Sequence, residues 1–307
     1  MTTSALLALA AQSVFTVTNS TYNGPLHRPA DARLVWHDEF SGRRLDPRRW
    51  AFETAFNKQG WFNGEQQYYS ADRPQNLRVE NGHLTIEARH EKLDAARFPD
   101  WGGQQYTSAR IFSKGAGWTY GFYEIRAKLP CAPGTWPAIW MLRKNLQKWP
   151  DDGEIDIMEQ VGAEPNLIYS TLHTKAYNHI IRTQKSAQRL VPTSCTAFHR
   201  YQLDWRPTSI TIGVDGRGIL RVNRQPTDGK PEWPFDQPFE LILNLAIGGD
   251  WASQKGIDDA AMPQQMSIDY VRVWQARQRR RYVSTAPPRC ARCSRKVSAG
   301  SAERRLR

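Results

Sequence analysis

No run of apolar residues in the 307-residue chain reaches the roughly 20 needed to cross a bilayer, so a membrane protein is not expected. A long amphipathic helical pattern, a glycine-rich phosphate loop and an internal repeat are also missing, which argues against nucleotide-binding α/β enzymes. Cysteine is scarce: Cys131 and Cys195 lie in the body, and Cys290 and Cys293 lie near the C-terminus. The Cys290/Cys293 pair is a lone C-x2-C with no second pair or histidine at metal spacing, so it reads as a tail disulfide or free thiols more readily than as a zinc site. For Cys131 and Cys195, separation along the chain does not decide whether they pair. Acid is nearly absent from the C-terminus, where Glu303 stands alone among eleven Lys and Arg from Ala276 onward.

That asymmetry explains most of the formal charge of +12, since about +2 remains for everything before the tail. A nearly neutral body gives no basic face for nucleic acid, and no nucleic-acid partner is expected. The tail, 276–307, is arginine-rich among Ser, Ala and Pro, a composition that cannot bury a core and reads as disordered. At the other end, Ala5–Ala11 is a short apolar run with an Ala-x-Ala ending but no preceding positive residue. It reads as a weak secretory signal within an N-terminal extension, 1–30, and places the protein outside the cell, in a periplasm or on a cell surface.

Between 31 and 275 the chain reads as short strands joined by turns. Alternation runs through Leu77–Glu80, Leu84–Ala88, Phe122–Leu129 and Ile210–Val214, and turn signals stand at Asn81-Gly82, Pro133-Gly134, Asp215-Gly216 and Asp228-Gly229. The pattern predicts one all-β domain, an antiparallel sandwich of two sheets. With 12 Trp, flat apolar faces are abundant, both for a core and for stacking on sugar rings.

One hexapeptide concentrates the chemistry: Glu154-Ile155-Asp156-Ile157-Met158-Glu159 sets three carboxylates among large apolar side chains. In a strand, Glu154 and Asp156 share a face while Glu159 looks away. One extra residue in a β-bulge, most simply at Ile157-Met158, reverses the parity and brings Glu159 to the same side. Three carboxylates in a row cannot all ionise without strong repulsion, so their pKa values separate and so do their roles. Two carboxyls about 5–5.5 Å apart, one ionised and one protonated, are what retaining glycoside hydrolysis uses. The alternative is an acidic stripe that is solvated or binds a cation, which the interleaved Ile and Met disfavour.

The segments Tyr106–Ile111, Gly121–Lys128, Trp136–Leu142, Gly153–Glu159, Leu172–Thr174, Leu243–Trp251 and Ile268–Trp274 follow one another as in glycoside hydrolase family 16, and the chain resembles its laminarinase branch over roughly Leu34 to Gln275. The resemblance implies a jelly-roll β-sandwich with a concave substrate cleft and endo-hydrolysis of β-1,3-glucan with retention. By position Glu154 resembles the nucleophile, Glu159 the general acid/base and Asp156 the assisting carboxylate. No cofactor is implied for catalysis, and the partner implied is a β-glucan bound by a monomer. Trp136, Trp140, Arg110 and the loop carrying Asn63 match cleft positions. That loop has Gly64 where the family usually has a second Asn. Trp118 and Trp251 read equally as core or as sugar platforms. His173 reads as a partner of Glu159 or of sugar, or as a structural histidine. Many family members carry a structural calcium on the convex side, and Glu39, Gly82 and Asp269 match its ligand positions. Relatives acting on mixed-linkage glucan or galactan, or transglycosylating, share the same catalytic row. A non-catalytic glucan-recognition protein would be expected to have lost glutamates that are retained here.

Overall fold

The computed structural model describes residues 20–115 and 117–276. The chain divides into two units, Met1–Arg277 and Gln278–Arg307, and the second lies outside the described residues, as do the basic tail, Cys290 and Cys293. So does the apolar run at Ala5–Ala11.

The strand-forming alternation of the body resolves into two sheets. One has seven strands in the order Lys185–Leu190, Leu167–His173, Glu154–Glu159, Thr135–Arg143, Phe239–Ile247, Arg110–Ser113 and Trp50–Phe52, all antiparallel. The other has ten. Eight run in the order Arg217–Asn223, Ser209–Val214, His199–Arg206, Gly121–Lys128, Gln264–Ala276, His83–His90, Tyr106–Ser108 and Gln67–Tyr69. Ala32–Asp38 adds to Gln264–Ala276, and Leu77–Glu80 adds to His83–His90. Only the pairing of Gln67–Tyr69 with Tyr106–Ser108 is parallel among the described strands. The strands expected at Leu77–Glu80, Leu84–Ala88, Phe122–Leu129 and Ile210–Val214 are all present, with ends shifted by up to two residues. Asn81-Gly82 and Asp215-Gly216 both hold positive φ, as two-residue hairpin turns require.

The inner faces of the two sheets meet in one large core. Tyr123, Ile125 and Ala127 from the ten-stranded sheet pack with Ile139, Met141, Ile155, Leu241, Leu243 and Leu245 from the other, all but fully buried. Leaving water at about 25 cal/mol per Å² of apolar surface, such side chains each contribute on the order of 2 kcal/mol against the entropy of ordering the chain. The body also begins earlier than residue 31. Leu26 is buried, and Thr21 and Pro25 bridge to Leu220 and Arg217, so this part of the N-terminal extension lines the outer strand of the ten-stranded sheet. Cys131 and Cys195 are joined in a disulfide with Cα atoms 5.7 Å apart. No helix of the described residues is long and apolar enough to cross a membrane.

Candidate active site

The strand Glu154–Glu159 carries the expected bulge. Against Thr135–Arg143, Asp156 pairs with Trp140 while Met158 pairs with Ile139, so two steps on one strand match one on the other. The same shift occurs against Leu167–His173, where Asp156 faces Thr171 and Glu159 faces Tyr169. Ile155, Ile157 and Met158 all enter the core, which is the hydrophobic gain that holds the extra residue in place. Glu154, Asp156 and Glu159 are thereby left on the opposite, outward face.

That face is recessed. Asp156, His173, Asn244, Arg110 and Trp136 point away from the core yet are each less than 10% exposed. The short helix Gly249–Ala252 and the loop around Asn63 help cover it. Gly249 has φ +83°, and a Cβ there would lie 2.9 Å from the Asn63 carbonyl oxygen, so only glycine lets the two segments close over the site.

Each outer carboxylate accepts a hydrogen bond from an indole. Trp149 Nε1 donates to Glu154 Oε2 at 2.9 Å, and Trp136 Nε1 donates to Glu159 Oε1 at 3.0 Å. Neither accepts from a cation. Burial pushes Glu154 up to about 7, opposed by the Trp149 indole, the charge of Arg110 and a hydrogen bond from Asp156. Burial pushes Glu159 further, to about 8, helped by the negative charges of Glu154 and Glu65 and opposed by Trp136. Asp156, between them, is driven well above the carboxylate range by burial and by both neighbours. The middle acid is therefore protonated and donates to Glu154, while the charge of Arg110 favours ionised Glu154 and the charge of Glu154 favours protonated Glu159.

Trp136 and Trp140 share the outward face as their spacing implied. Pro137 between them is accommodated opposite Leu245, in a strand that stays regular. Both indoles are anchored, Trp140 by donating to Asn244 Oδ1 at 2.7 Å. Trp251 is buried and stands edge-on to Trp136 and Tyr169, supporting Trp136 from behind. Arg110 is buried, with its guanidinium 4.8 Å from the Trp140 ring centre and 5.0 Å from that of Trp61, and its Nε donates to Glu53 at 2.7 Å. Asn63 is exposed at the rim, in the left-handed region.

Two expectations need correction. Trp118 is not at this site: it pairs with Phe239, lies edge-on to Trp36 and Tyr123, and packs on the main core. His173 does not reach Glu159. Strand register sets it opposite Glu154, with Nε2 3.4 Å from Asp156 Oδ2 and 3.8 Å from Glu154 Oε1. Burial and the nearby His179 depress it to about 3, so His173 is neutral in ordinary buffers. Sequence reading also missed Trp149, which lies in a loop without periodicity. It missed Asn244, Glu65 and Tyr69 as well, which form the polar floor: Asn244 Nδ2 donates to the Tyr69 hydroxyl at 3.0 Å, and Tyr69 in turn donates to Glu65 at 3.4 Å.

Among the described residues one group of acids and histidine is close enough to hold a metal ion: Glu154, Asp156 and His173, with one donor atom of each within 4.8 Å of the others. The convex positions matched to calcium do not fit that ion as they stand. Glu39 accepts from Arg272 Nη2 at 2.7 Å and is held below the usual carboxylate range by it, and Asp269 is engaged by Arg126. Gly82 stays in its hairpin turn. Cationic side chains take up the charge that a calcium ion would answer.

A buried row of three acids on a bulged sandwich strand agrees with what known proteins show. The profile of glycosyl hydrolases family 16 matches residues 64–272. The chain belongs to glycosyl hydrolase family 16. A β-glucanase of Rhodothermus marinus is 48% identical over 251 residues, covering 78% of this chain and 84% of that protein. The crystal structure of SCLam, a non-specific endo-β-1,3(4)-glucanase of family 16, superposes with a TM-score of 0.82 at 48% identity, covering 85% of this chain and 97% of that one. The laminarinase from Rhodothermus marinus gives a TM-score of 0.74 at 46% identity, covering 80% and 97%. The sandwich is accordingly the jelly roll of this family.

Proposed function

We propose that this family 16 hydrolase cuts internal β-1,3 linkages of β-glucans such as laminarin, with Glu154 as nucleophile, Glu159 as acid/base and Asp156 as the acid that tunes both. The observation that carries this reading is the bulged strand, which sets three buried carboxylates on one outward face with an indole donating to each outer acid. In the first step the Glu154 carboxylate attacks the anomeric carbon while Glu159 gives its proton to the departing glycosidic oxygen, leaving a glycosyl ester on Glu154. Esterification removes the negative charge that raises Glu159, whose pKa then falls, suiting it to take a proton from water. That water attacks the anomeric carbon, the ester breaks, and Glu154 returns as a carboxylate with the β configuration retained. Asp156, protonated throughout, donates to Glu154 and thereby favours its ionised form.

The neutral His173 beside Asp156 adds no charge to the row, consistent with a positioning role. No cofactor enters these steps. The relatives' activities support an exported enzyme whose partner is a polysaccharide. A second reading, cleavage of β-1,4 bonds next to β-1,3 ones, is favoured by the likeness to a non-specific endo-β-1,3(4)-glucanase.

The test is incubation of the protein and its Glu154→Ala variant with laminarin, lichenan, agarose and xyloglucan, following reducing ends and product lengths. Internal cleavage of laminarin by the unaltered protein alone is expected, and azide should restore cleavage to Glu154→Ala with inverted product. Rescue with inversion in Glu159→Ala instead would exchange the two roles. Laminarin bound but never cut would leave a recognition protein.

A further inference from the structure

Exposed aromatic rings are uncommon among the described residues, and two of them stand together at one end of the face that carries the acids. Phe62 is 58% exposed and Phe56 37%, their ring centres 4.8 Å apart in an edge-to-face pair. They continue a row of flat groups that starts at the acids. Trp140 lies opposite Asp156, the Arg110 guanidinium lies 4.8 Å from the Trp140 ring centre and 5.0 Å from that of Trp61, and Phe56 meets Trp61 at 5.6 Å. The row crosses the strands Glu154–Glu159, Thr135–Arg143, Phe239–Ile247 and Arg110–Ser113 and leaves the sheet at the loop beyond the edge strand Trp50–Phe52. A glycan lying in the recess along this row is carried directly to the two phenylalanines.

The loop is held firmly enough to present a ring. Trp61 Nε1 donates to Asn57 Oδ1, and Asn57 is tied in turn to the Tyr69 backbone and to Asp100. On the other side of Phe62, Glu65 bridges to Gly248. An apolar ring fixed in water on a short clamped turn gains from burial only when something flat covers it, and the apolar face of a pyranose does so at small entropic cost to the protein.

We propose that Phe62, backed by Phe56, is a distal platform on which a glucosyl ring of the bound chain stacks, making the enzyme favour long β-glucans over short oligosaccharides. The inference rests on the reading of this face as a β-glucan hydrolase site. The occupant is the substrate chain itself, because the phenylalanines are continuous with the row that ends at the acids.

The experiment compares kcat/KM on laminarin with kcat/KM on laminaritriose for the unaltered protein and for Phe62→Ala, Phe62→Leu and Phe62→Tyr. Stacking predicts that the long-to-short ratio falls roughly three- to tenfold in Phe62→Ala and in Phe62→Leu, mainly through KM on laminarin, and is kept in Phe62→Tyr. An unchanged ratio in Phe62→Ala overturns the platform. A ratio kept by Phe62→Leu overturns it too, because apolar bulk without a flat ring would then suffice. Gel retardation in laminarin reads the platform without hydrolysis: if the unaltered protein is retarded and Phe62→Ala less so, the platform stands even where no glucan is cut, and only the hydrolase reading fails.

Discussion

The outer acids of the cleft row and two acids of the ten-stranded sheet meet opposite fates. On the ten-stranded sheet Glu39 and Asp269 each lie against a guanidinium, from Arg272 and Arg126. On the seven-stranded sheet Glu154 and Glu159 accept from neutral indoles, and Arg110, whose charge reaches Glu154, is bound to Glu53. The charged donor stabilises the carboxylate and pulls Glu39 down, whereas the neutral donor leaves burial to push the glutamates up to about 7 and 8. A carboxyl that must hold a proton at one moment and surrender it at the next is one from which cations have been kept away.

The contrast breaks most visibly when the cleft acids are removed. Glu154→Ala or Glu159→Ala should lower kcat on laminarin by on the order of 10⁴-fold, as measured from reducing ends, with melting temperature kept or raised. Next in size is Asp156→Asn, expected to reduce kcat by roughly 10²-fold while stabilising the fold in alkali. The sign follows from the raised folded pKa values. Burial and both neighbouring acids hold the Asp156 pKa well above its unfolded value, so keeping its proton in the fold costs more stability as pH rises, a cost that Asn does not carry. Thermal melts at pH 5 and pH 8.5 should show the gain of Asp156→Asn growing at the higher pH.

The indoles sharpen the comparison. Trp149→Phe removes a bond that lowers Glu154, so the acid limb of the kcat/KM profile should move to higher pH, whereas Trp136→Phe should move the alkaline limb up through Glu159. Shifts in the other direction, or none, would separate the indoles from proton affinity. The smallest effect belongs to the convex face. Arg272→Ala breaks a partly exposed ion pair worth about 0–1 kcal/mol, weakened by salt, and should leave glucan cleavage unaltered in a parallel assay.

The bulge was legible because strand parity and three acids allow few ways to assemble a catalytic row, and Trp136 and Trp140 were legible from their spacing. His173 was mispartnered because which acid it faces depends on the register of Leu167–His173, which local pattern does not encode. Trp149 reaches Glu154 from a loop, and Asn244 reaches Trp140 across 104 residues of chain, so neither contact leaves a periodic trace. Trp118 had two readings from its composition alone, and its bridge to Phe239 selects the core. The calcium positions were carried by resemblance, and the arginines that engage them come from neighbouring strands that are far along the sequence.

The bulge on the catalytic strand also makes that strand tolerant of a change that would ruin most others. Deleting Met158 shortens the acid spacing from five to four residues, and because four is even, an unbulged strand would still deliver the second glutamate to the same side. Such a deletion would alter how the backbone meets its neighbours while leaving both glutamates on one face.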